Sequence, residues 1–228
     1  QIIARINTNV KTVKYGIHKI LTKVGEEHPP ALIYPLTVAT KSENQSRKAA
    51  AETLLDNMRK HSPKMVDQAL LVSKELIRVA ILWNEQWHDA LEDASRMYFG
   101  HHDVKGMLVR LGPLHQQLEN PETMNEKAFR QQFGRDLTDA YSWCKKYMNS
   151  KRESDLTQAW DLYYYVFRRI CRQLKQMVSL ELQYVSPRIL EAENLELVVP
   201  GTYEVGKPVA KIVSFCATMK EIGRASCR

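Results

Sequence analysis

The stretch DLTQAWDLYYYVFRRI, residues 155–170, decides the fold because it carries apolar side chains on two stripes of one helix. At 3.6 residues per turn, one stripe suits the core of a helical bundle. Its members are Leu156, Ala159, Tyr163, Val166 and Ile170. The other stripe holds a threonine and three aromatic residues, which are Thr157, Trp160, Tyr164 and Phe167. A small domain cannot readily bury both stripes, so the second is predicted to face a ligand or partner.

A second helical stretch, ELIRVAILWNEQWHDALEDASRMYF at residues 75–99, carries a row of Leu91, Ser95 and Phe99 at helical spacing. Ser95 is a small residue in a bulky row and would leave a notch. If this row faces the Trp160 row, the two form a hydrophobic cleft floored by Ser95 and walled by aromatic rings. Such clefts accept apolar ligands or amphipathic segments. The competing interpretation is a purely structural core, which we assign to Trp83, Trp87 and Trp143.

The spacing of apolar residues predicts a mainly α fold. Residues 1–62 read as short α-solenoid-like helices at 11–24 and 46–61, with an apolar segment at 31–40. Residues 63–178 read as a four-helix up-down bundle, because the loops between its helices are short. The predicted bundle helices are 63–99, with a break expected near Ser73, then 103–118, 125–149 and 153–178. Asp103 is predicted to be the N-cap of the second of these helices. Residues 195–199 and 209–215 are β-branched and predict a β-hairpin that opens a truncated second domain.

The bulk composition excludes few classes of protein. The 228 residues have a net charge of +7, and no run of lysine or arginine is longer than two residues. This pattern favours solvated helix faces over a nucleic-acid partner. The four cysteines form no CxxC pair and are predicted to be free thiols, with Cys144 and Cys171 in the core.

No motif predicts a catalytic or metal-binding residue. The phosphate-binding patterns GxGxxG and GxxxxGK[ST] are absent. The run His101-His102-Asp103 has no second ligand cluster, and Gly134-Arg135-Asp136 lacks the asparagine that follows in a kinase catalytic loop. His88 has no nucleophile placed beside it by any motif, so it is predicted to be a helix-surface or partly buried side chain.

The longer motifs of the chain resemble the target-of-rapamycin (TOR) kinases of the phosphatidylinositol-3-kinase-related family. Residues 75–100, DVKGM (103–107), GPLH (112–115), FGRDL (133–137), WCKKYM (143–148) and residues 155–170 are similar to its FKBP–rapamycin-binding domain. HPPALIYPLTVATKS (28–42) resembles the end of its helical-repeat (FAT) region. LELQYVSP (180–187) and LELVVPGTY (195–203) resemble the entry to its kinase domain.

The resemblance implies a fragment of a larger protein with four segments. Residues 1–70 would end the FAT-like region, 71–178 would form the rapamycin-binding domain and 179–222 would begin the kinase N-lobe. The end of the chain, MKEIGRASCR, does not resemble the family, and 223–228 is predicted to be a non-native tail. The parent would be a serine/threonine kinase using ATP and magnesium, whereas this fragment would hold no cofactor and be inactive.

The resemblance also implies a ligand site and its partners. The positions that match the family's rapamycin contacts are Leu91, Ser95, Tyr98, Phe99, Thr157, Trp160, Asp161, Tyr164 and Phe167. The implied partners are an immunophilin prolyl isomerase carrying rapamycin, TOR complex subunits, kinase substrates and phosphatidic acid, with Arg168 as the lipid headgroup contact. The parent is expected in the cytoplasm and on lysosomal, vacuolar or other endomembranes.

Two other hypotheses remain beside a regulatory segment of a TOR kinase. The first is a stand-alone helical scaffold for protein–protein interaction, which the predicted hairpin disfavours because a solenoid would continue with helices. The second is an active enzyme, which the missing phosphate-binding loop disfavours.

Overall fold

The computed structural model describes residues 2–177 and 179–220 and is mainly helical, which confirms the predicted fold class. The long helices are α1 Lys11–Glu27, α2 Pro29–Ala39, α3 Gln45–His61, α4 Pro63–Ala80, α5 Trp83–Ser95, α6 Val104–Glu119, α7 Met124–Ser150 and α8 Glu153–Gln176. The shorter elements are a 3-10 helix Ile2–Arg5, a π-helical turn Arg96–Gly100, strand β1 Ser179–Glu181, helices α9 Leu182–Val185 and α10 Pro187–Leu190, and strand β2 Thr218–Lys220.

The chain forms two compact units. Among the described residues, the first unit contains 2–77 and 188–216, and the second contains 78–177, 179–187 and 217–220. In the first unit α1, α2 and α3 pack on one another around buried apolar side chains that include Leu21, Ile33 and Leu54. The 188–216 segment makes polar contacts within this unit. The Tyr34 hydroxyl of α2 donates to Val198 O, and the Glu196 N–H donates to Gln68 Oε1 of α4 at 2.8 Å.

The second unit is a four-helix bundle made by α5, α6, α7 and α8. Each of these helices packs on the next in chain order, and α5 also packs on α8, so the four helices enclose one core. The core contains Trp87, Leu111, Phe133, Tyr163 and Ile170, each at most 1% exposed. The connections at 101–103, 120–123 and 151–152 are short, as antiparallel neighbours require.

Local capping explains where the bundle helices begin. Asp103 Oδ1 accepts a hydrogen bond from the Gly106 N–H at 2.8 Å and starts α6. Thr123 and Glu126 form a reciprocal capping box that starts α7, in which the Thr123 N–H donates to Glu126 Oε2 at 3.1 Å. Asp103 was predicted to cap α6, and the structure confirms that role.

The break in the first long helix lies nine residues beyond Ser73, at Leu82, so the prediction of a break near Ser73 is wrong. Ser73 continues α4 without interruption. The Glu85 carboxylate accepts a hydrogen bond from the Leu82 N–H at 3.0 Å and begins a separate helix there. The Leu82 amide would otherwise have no acceptor within the new helix, so the Glu85 carboxylate stabilises a helix start at this position. A single serine within a helix provides no comparable start signal.

The predicted hairpin is present as antiparallel backbone pairing but not as two continuous strands. The Leu195 N–H donates to Ile212 O at 3.0 Å and the Ile212 N–H to Leu197 O at 2.9 Å, while Val198 and Lys211 form a single bridge. The regular two-stranded sheet pairs β1 with β2 instead. Two strands alone are marginally stable, which agrees with so short a pairing.

Some of the sequence predictions concern residues that the structure does not describe. The tail at 223–228, and residues 221–222 of the predicted kinase entry, lie outside the described residues. The four-segment division of the chain stays a prediction. Within residues 2–177 and 179–220, no helix is both long enough and apolar enough to cross a membrane.

We predict that residues 71–178 alone fold as a helical bundle. The connected core cluster runs from Trp83 to Ile170, so the isolated segment retains every member of it. Circular dichroism should show high helix content and one cooperative thermal transition. The matched variant Leu137→Ala, which empties a fully buried position, should lower the free energy of unfolding by about 2–5 kcal/mol. A gradual melt, or no change in the Leu137→Ala variant, would contradict this prediction.

Candidate functional site

A groove of about 420 Å³ lies between α5, with its π-helical turn, and α8. Its volume falls within the range of about 300–1,000 Å³ typical of small-molecule sites. Its lining is mostly apolar and consists of Leu91, Glu92, Ser95, Phe99, Trp160, Asp161, Tyr163, Tyr164 and Phe167. The two rows inferred from spacing therefore face each other across one open groove.

The α5 wall owes its shape to a small residue followed by a change of helix type. Leu91 is buried, Ser95 is half-buried, and the π-helical turn Arg96–Gly100 follows directly. A π-helical turn bonds i to i+5 and is wider than an α-helical turn, and such turns are frequent at functional sites. Tyr98 and Phe99 both contact the Trp160 ring from this turn, with ring centroids 5.5 and 5.3 Å away.

Trp160 belongs both to the groove and to the bundle core. Its side chain is only 9% exposed, and Tyr163 meets it edge-on at 5.9 Å. The Trp160 Nε1 atom is buried and has no hydrogen-bond acceptor among the described residues. Residue spacing leaves two alternatives for Trp160, a core residue or a ligand-site residue, and its position in the structure combines the two.

Tyr164 and Phe167 complete the α8 wall. Tyr164 is 59% exposed, whereas Phe167 is half-buried and stacks on the imidazole of His88 at 5.0 Å. His88 Nδ1 also lies 3.1 Å from Asp89 Oδ1. The imidazole thus supports Phe167 from the side of α5. Arg168 places its guanidinium 5.8 Å from the centre of the Tyr164 ring, at the edge of the groove.

Not every predicted ligand residue lines the groove. Tyr98 lies behind Trp160, and the Thr157 hydroxyl donates to Glu153 O at 3.1 Å on the outer face of α8. The other seven residues that match rapamycin contacts are among the lining residues, and Arg168, the predicted lipid contact, is not. Whether they bind a ligand stays a prediction.

Two lining residues, Glu92 and Tyr163, are not among the site residues predicted from the sequence. Tyr163 was assigned to the core stripe alone, although it lies one turn beyond Trp160 and so can also floor the groove. Glu92 follows Leu91 but is charged and lies outside the row of Leu91, Ser95 and Phe99. Glu92 lies one turn before Ser95, and Tyr163 lies one turn after Trp160, so including the residues one turn from either row would have found both.

A buried polar cluster lies beneath the groove floor. The Tyr163 hydroxyl shares a hydrogen bond with His115 Nε2 at 3.0 Å and lies 4.0 Å from Cys144 Sγ. His115 stacks on Tyr141 at 4.1 Å and meets Trp87 edge-on at 4.9 Å. Burial, helped by the charge of Lys145, lowers the pKa of His115 to about 4. Burial likewise raises the pKa of Cys144 to about 11. His115 and Cys144 are therefore neutral at pH 7, and together with Tyr163 they anchor the groove floor.

No metal centre emerges from the part of the chain that the structure describes. Asp103 caps α6, and within the described ranges no group of three or more histidine, cysteine, aspartate or glutamate side chains could hold a metal ion.

Comparison with protein families assigns both halves of the helical region. A family described as "FKBP12-rapamycin binding domain" matches residues 75–172, which include every groove residue. A family described as "Serine/threonine-protein kinase ATR-like, HEAT repeats" matches residues 1–77.

Individual relatives are similar over nearly the whole chain. The Drosophila melanogaster protein named serine/threonine-protein kinase mTor is 54% identical over 213 residues, 93% of this chain and 9% of that protein. The Oryza sativa subsp. japonica protein named serine/threonine-protein kinase TOR is 53% identical over 216 residues, 94% of this chain and 9% of that protein. The Caenorhabditis elegans protein named target of rapamycin homolog is 40% identical over 230 residues, 97% of this chain and 8% of that protein.

The chain belongs to the target-of-rapamycin family. The resemblance read from the motifs is thereby confirmed, together with the helical-repeat region that precedes the rapamycin-binding domain. The chain spans about a tenth of the length of these TOR relatives.

We predict that this TOR domain loses stability in mild acid through His115. Its pKa is about 4 when folded and 6.5 when unfolded, so the unfolded chain takes up a proton first as the pH falls. Above about pH 6.5 His115 is neutral in both states and does not lower the free energy of unfolding. Between about pH 6.5 and pH 4, its protonation in the unfolded chain lowers that free energy progressively, by at most about 3 kcal/mol.

Urea unfolding of the full chain between pH 7 and pH 4 measures this loss. His115→Gln keeps a polar side chain but cannot titrate, so its unfolding free energy should fall less over the same range. An equal fall in both proteins would show that His115 does not cause the loss.

Proposed function

We propose that the groove between α5 and α8 binds a rapamycin–immunophilin complex. The observation that carries the proposal is the notch at Ser95 facing the aromatic wall of Trp160, Tyr164 and Phe167. An apolar ligand can fill the notch and stack on the rings without displacing any hydrogen-bonded side chain. The description of the family that matches residues 75–172 supports the same ligand and partner.

The partner protein would meet the surface around the groove mouth. Phe99 and Tyr164 are 64% and 59% exposed and stand at that mouth, one from each wall. Exposed aromatic side chains next to a bound ligand can continue the apolar surface towards a second protein. The immunophilin would then contact both the ligand and the aromatic residues at the groove mouth, and these contacts would add to the affinity.

We further propose that the full-length protein is a serine/threonine kinase that acts in nutrient and growth signalling. The relatives' names support the activity. In that protein this domain would restrict entry to the kinase cleft and recruit substrates, while ATP and magnesium would serve a catalytic domain outside these 228 residues. TOR complex subunits and endomembranes remain the proposed surroundings of the full-length protein.

Phosphatidic acid is a second candidate ligand for the same groove. The supporting observation is Arg168, which is exposed beside Tyr164 at the groove edge and could pair with a phosphate headgroup. The acyl chains would then occupy the apolar groove.

We predict that Ser95→Ile abolishes measurable binding of the rapamycin–immunophilin complex with little loss of stability. The added side chain would fill the notch, but Ser95 is only half-buried and the core behind it stays packed. Calorimetric titration measures the affinity, and thermal melting measures the stability. Ser142→Ile makes the same change on an exposed position of α7 and should bind normally. Unchanged binding by Ser95→Ile would refute the site.

We predict that Trp160→Ala weakens binding of the same complex by about 2–4 kcal/mol, as loss of an aromatic anchor does. Because Trp160 is also a core residue, the variant should lose about 3–5 kcal/mol of stability as well. Titration well below the melting temperature separates the two effects. A lower melting temperature with unaltered affinity would leave Trp160 a structural residue only.

We predict that the purified chain transfers no phosphate to a generic protein substrate. Its sequence contains no Gly-rich phosphate loop and no catalytic aspartate with its paired asparagine. A radiolabelled-ATP assay measures the activity. Phosphate transfer that disappears on substituting a residue of this chain would contradict the proposal.

A further inference from the structure

The charged residues that line the groove all carry negative charge. Glu92 lies on the α5 wall and Asp161 on the α8 wall, and the other lining residues are uncharged. The chain as a whole has a net charge of +7, so this local excess of negative charge opposes the overall balance. An occupant of the groove therefore meets an apolar strip with one carboxylate on each side.

Nearby cations offset these carboxylates unequally. Glu92 Oε1 lies 3.6 Å from Arg96 Nη2, although both side chains are more than half exposed and such pairs are weak. Asp161 is exposed, and no ion pair to its carboxylate is found among the described residues. Arg168 lies over the Tyr164 ring at the groove edge and is not among the lining residues. Asp161 is thus the stronger source of uncompensated charge.

The dimensions of the groove suit a short helical segment. The α5 wall from Leu91 to Phe99 covers eight residue steps, or about 12 Å at the rise of an α-helix. That length matches about two turns of a partner helix, whose apolar residues at i, i+3 or i+4, and i+7 would enter the groove. A carboxylate on each wall then faces the two margins of the partner's apolar stripe.

We propose that the groove selects amphipathic protein segments whose apolar stripe is bordered on both sides by lysine or arginine. This inference rests on the proposed substrate-recruiting role of the groove and names the chemistry of the segment it recruits. Glu92 and Asp161 act as specificity-determining residues. Segments bordered by acidic residues bring like charges together at both walls and are disfavoured.

The test uses the full 228-residue chain and two synthetic amphipathic peptides. Both peptides carry the same leucine and phenylalanine anchors at helical spacing, with lysine on the stripe margins of one and glutamate on those of the other. Fluorescence anisotropy of labelled peptide gives the two dissociation constants. The lysine peptide should bind roughly three- to tenfold more tightly at low salt, and added salt should narrow the gap because both carboxylates are exposed.

Matched variants assign the preference to the groove. Asp161→Asn should reduce the ratio of the two dissociation constants. Glu92→Gln combined with Asp161→Asn should bring that ratio to about one. Asp139→Asn makes the same change of charge on α7 away from the groove, and should preserve the gap.

Three outcomes overturn the inference: equal affinity for both peptides, tighter binding of the glutamate peptide, or binding of neither. Titration with the rapamycin–immunophilin complex is run in parallel. If that complex binds while the peptides show no charge preference, the inference is wrong and the proposed ligand site stands. If neither the complex nor either peptide binds, the proposed function itself is wrong.

Discussion

The two-sided packing of α8 is the constraint on which the rest of the bundle depends. Tyr163 is completely buried and shares its hydroxyl hydrogen bond with His115 across the core, while Trp160 one turn earlier closes the core on the groove side. Fixing Tyr163 orients α8 about its own axis. Tyr164 and Phe167 must then face the groove, because adjacent positions on a helix diverge by about 100°. The recognition surface is thus a consequence of core packing.

The opposite wall depends on a local departure from α-helical geometry. The π-helical turn Arg96–Gly100 brings Tyr98 and Phe99 against the same indole, although neighbouring residues of a regular α-helix would point further apart. Tyr98 supports the indole from behind, and Phe99 stands exposed at the groove mouth. The small side chain of Ser95, just before this turn, leaves the space that a ligand would use. The site is therefore rigid where Tyr98 packs on the Trp160 indole and open where the small Ser95 side chain leaves space.

Much of this could be predicted from residue spacing, because helical periodicity and capping are local properties. The core stripe of α8, the Asp103 cap and the facing rows all follow from positions close together in the chain. The break at Leu82 was missed because the apolar run at 79–83 continues across it and leucine is not a usual N-cap residue. Tyr98 and Thr157 match the family's rapamycin contacts but do not line the groove, whereas Glu92 and Tyr163 do. Which residues reach a groove depends on how far each helix is rotated, and spacing along the chain does not give that rotation.

The sequence by itself determined the helical class, the four bundle helices and membership of the target-of-rapamycin family. Periodic apolar stripes and long motifs depend only on the order and spacing of residues along the chain. The tertiary structure alone decided that Trp160 is both core residue and groove wall, that a π-helical turn shapes the α5 side, and that the lining charges are acidic. These features arise only when two helices pack side by side. Their rotation, and the space left between them, depend on the fit of side chains distant in sequence.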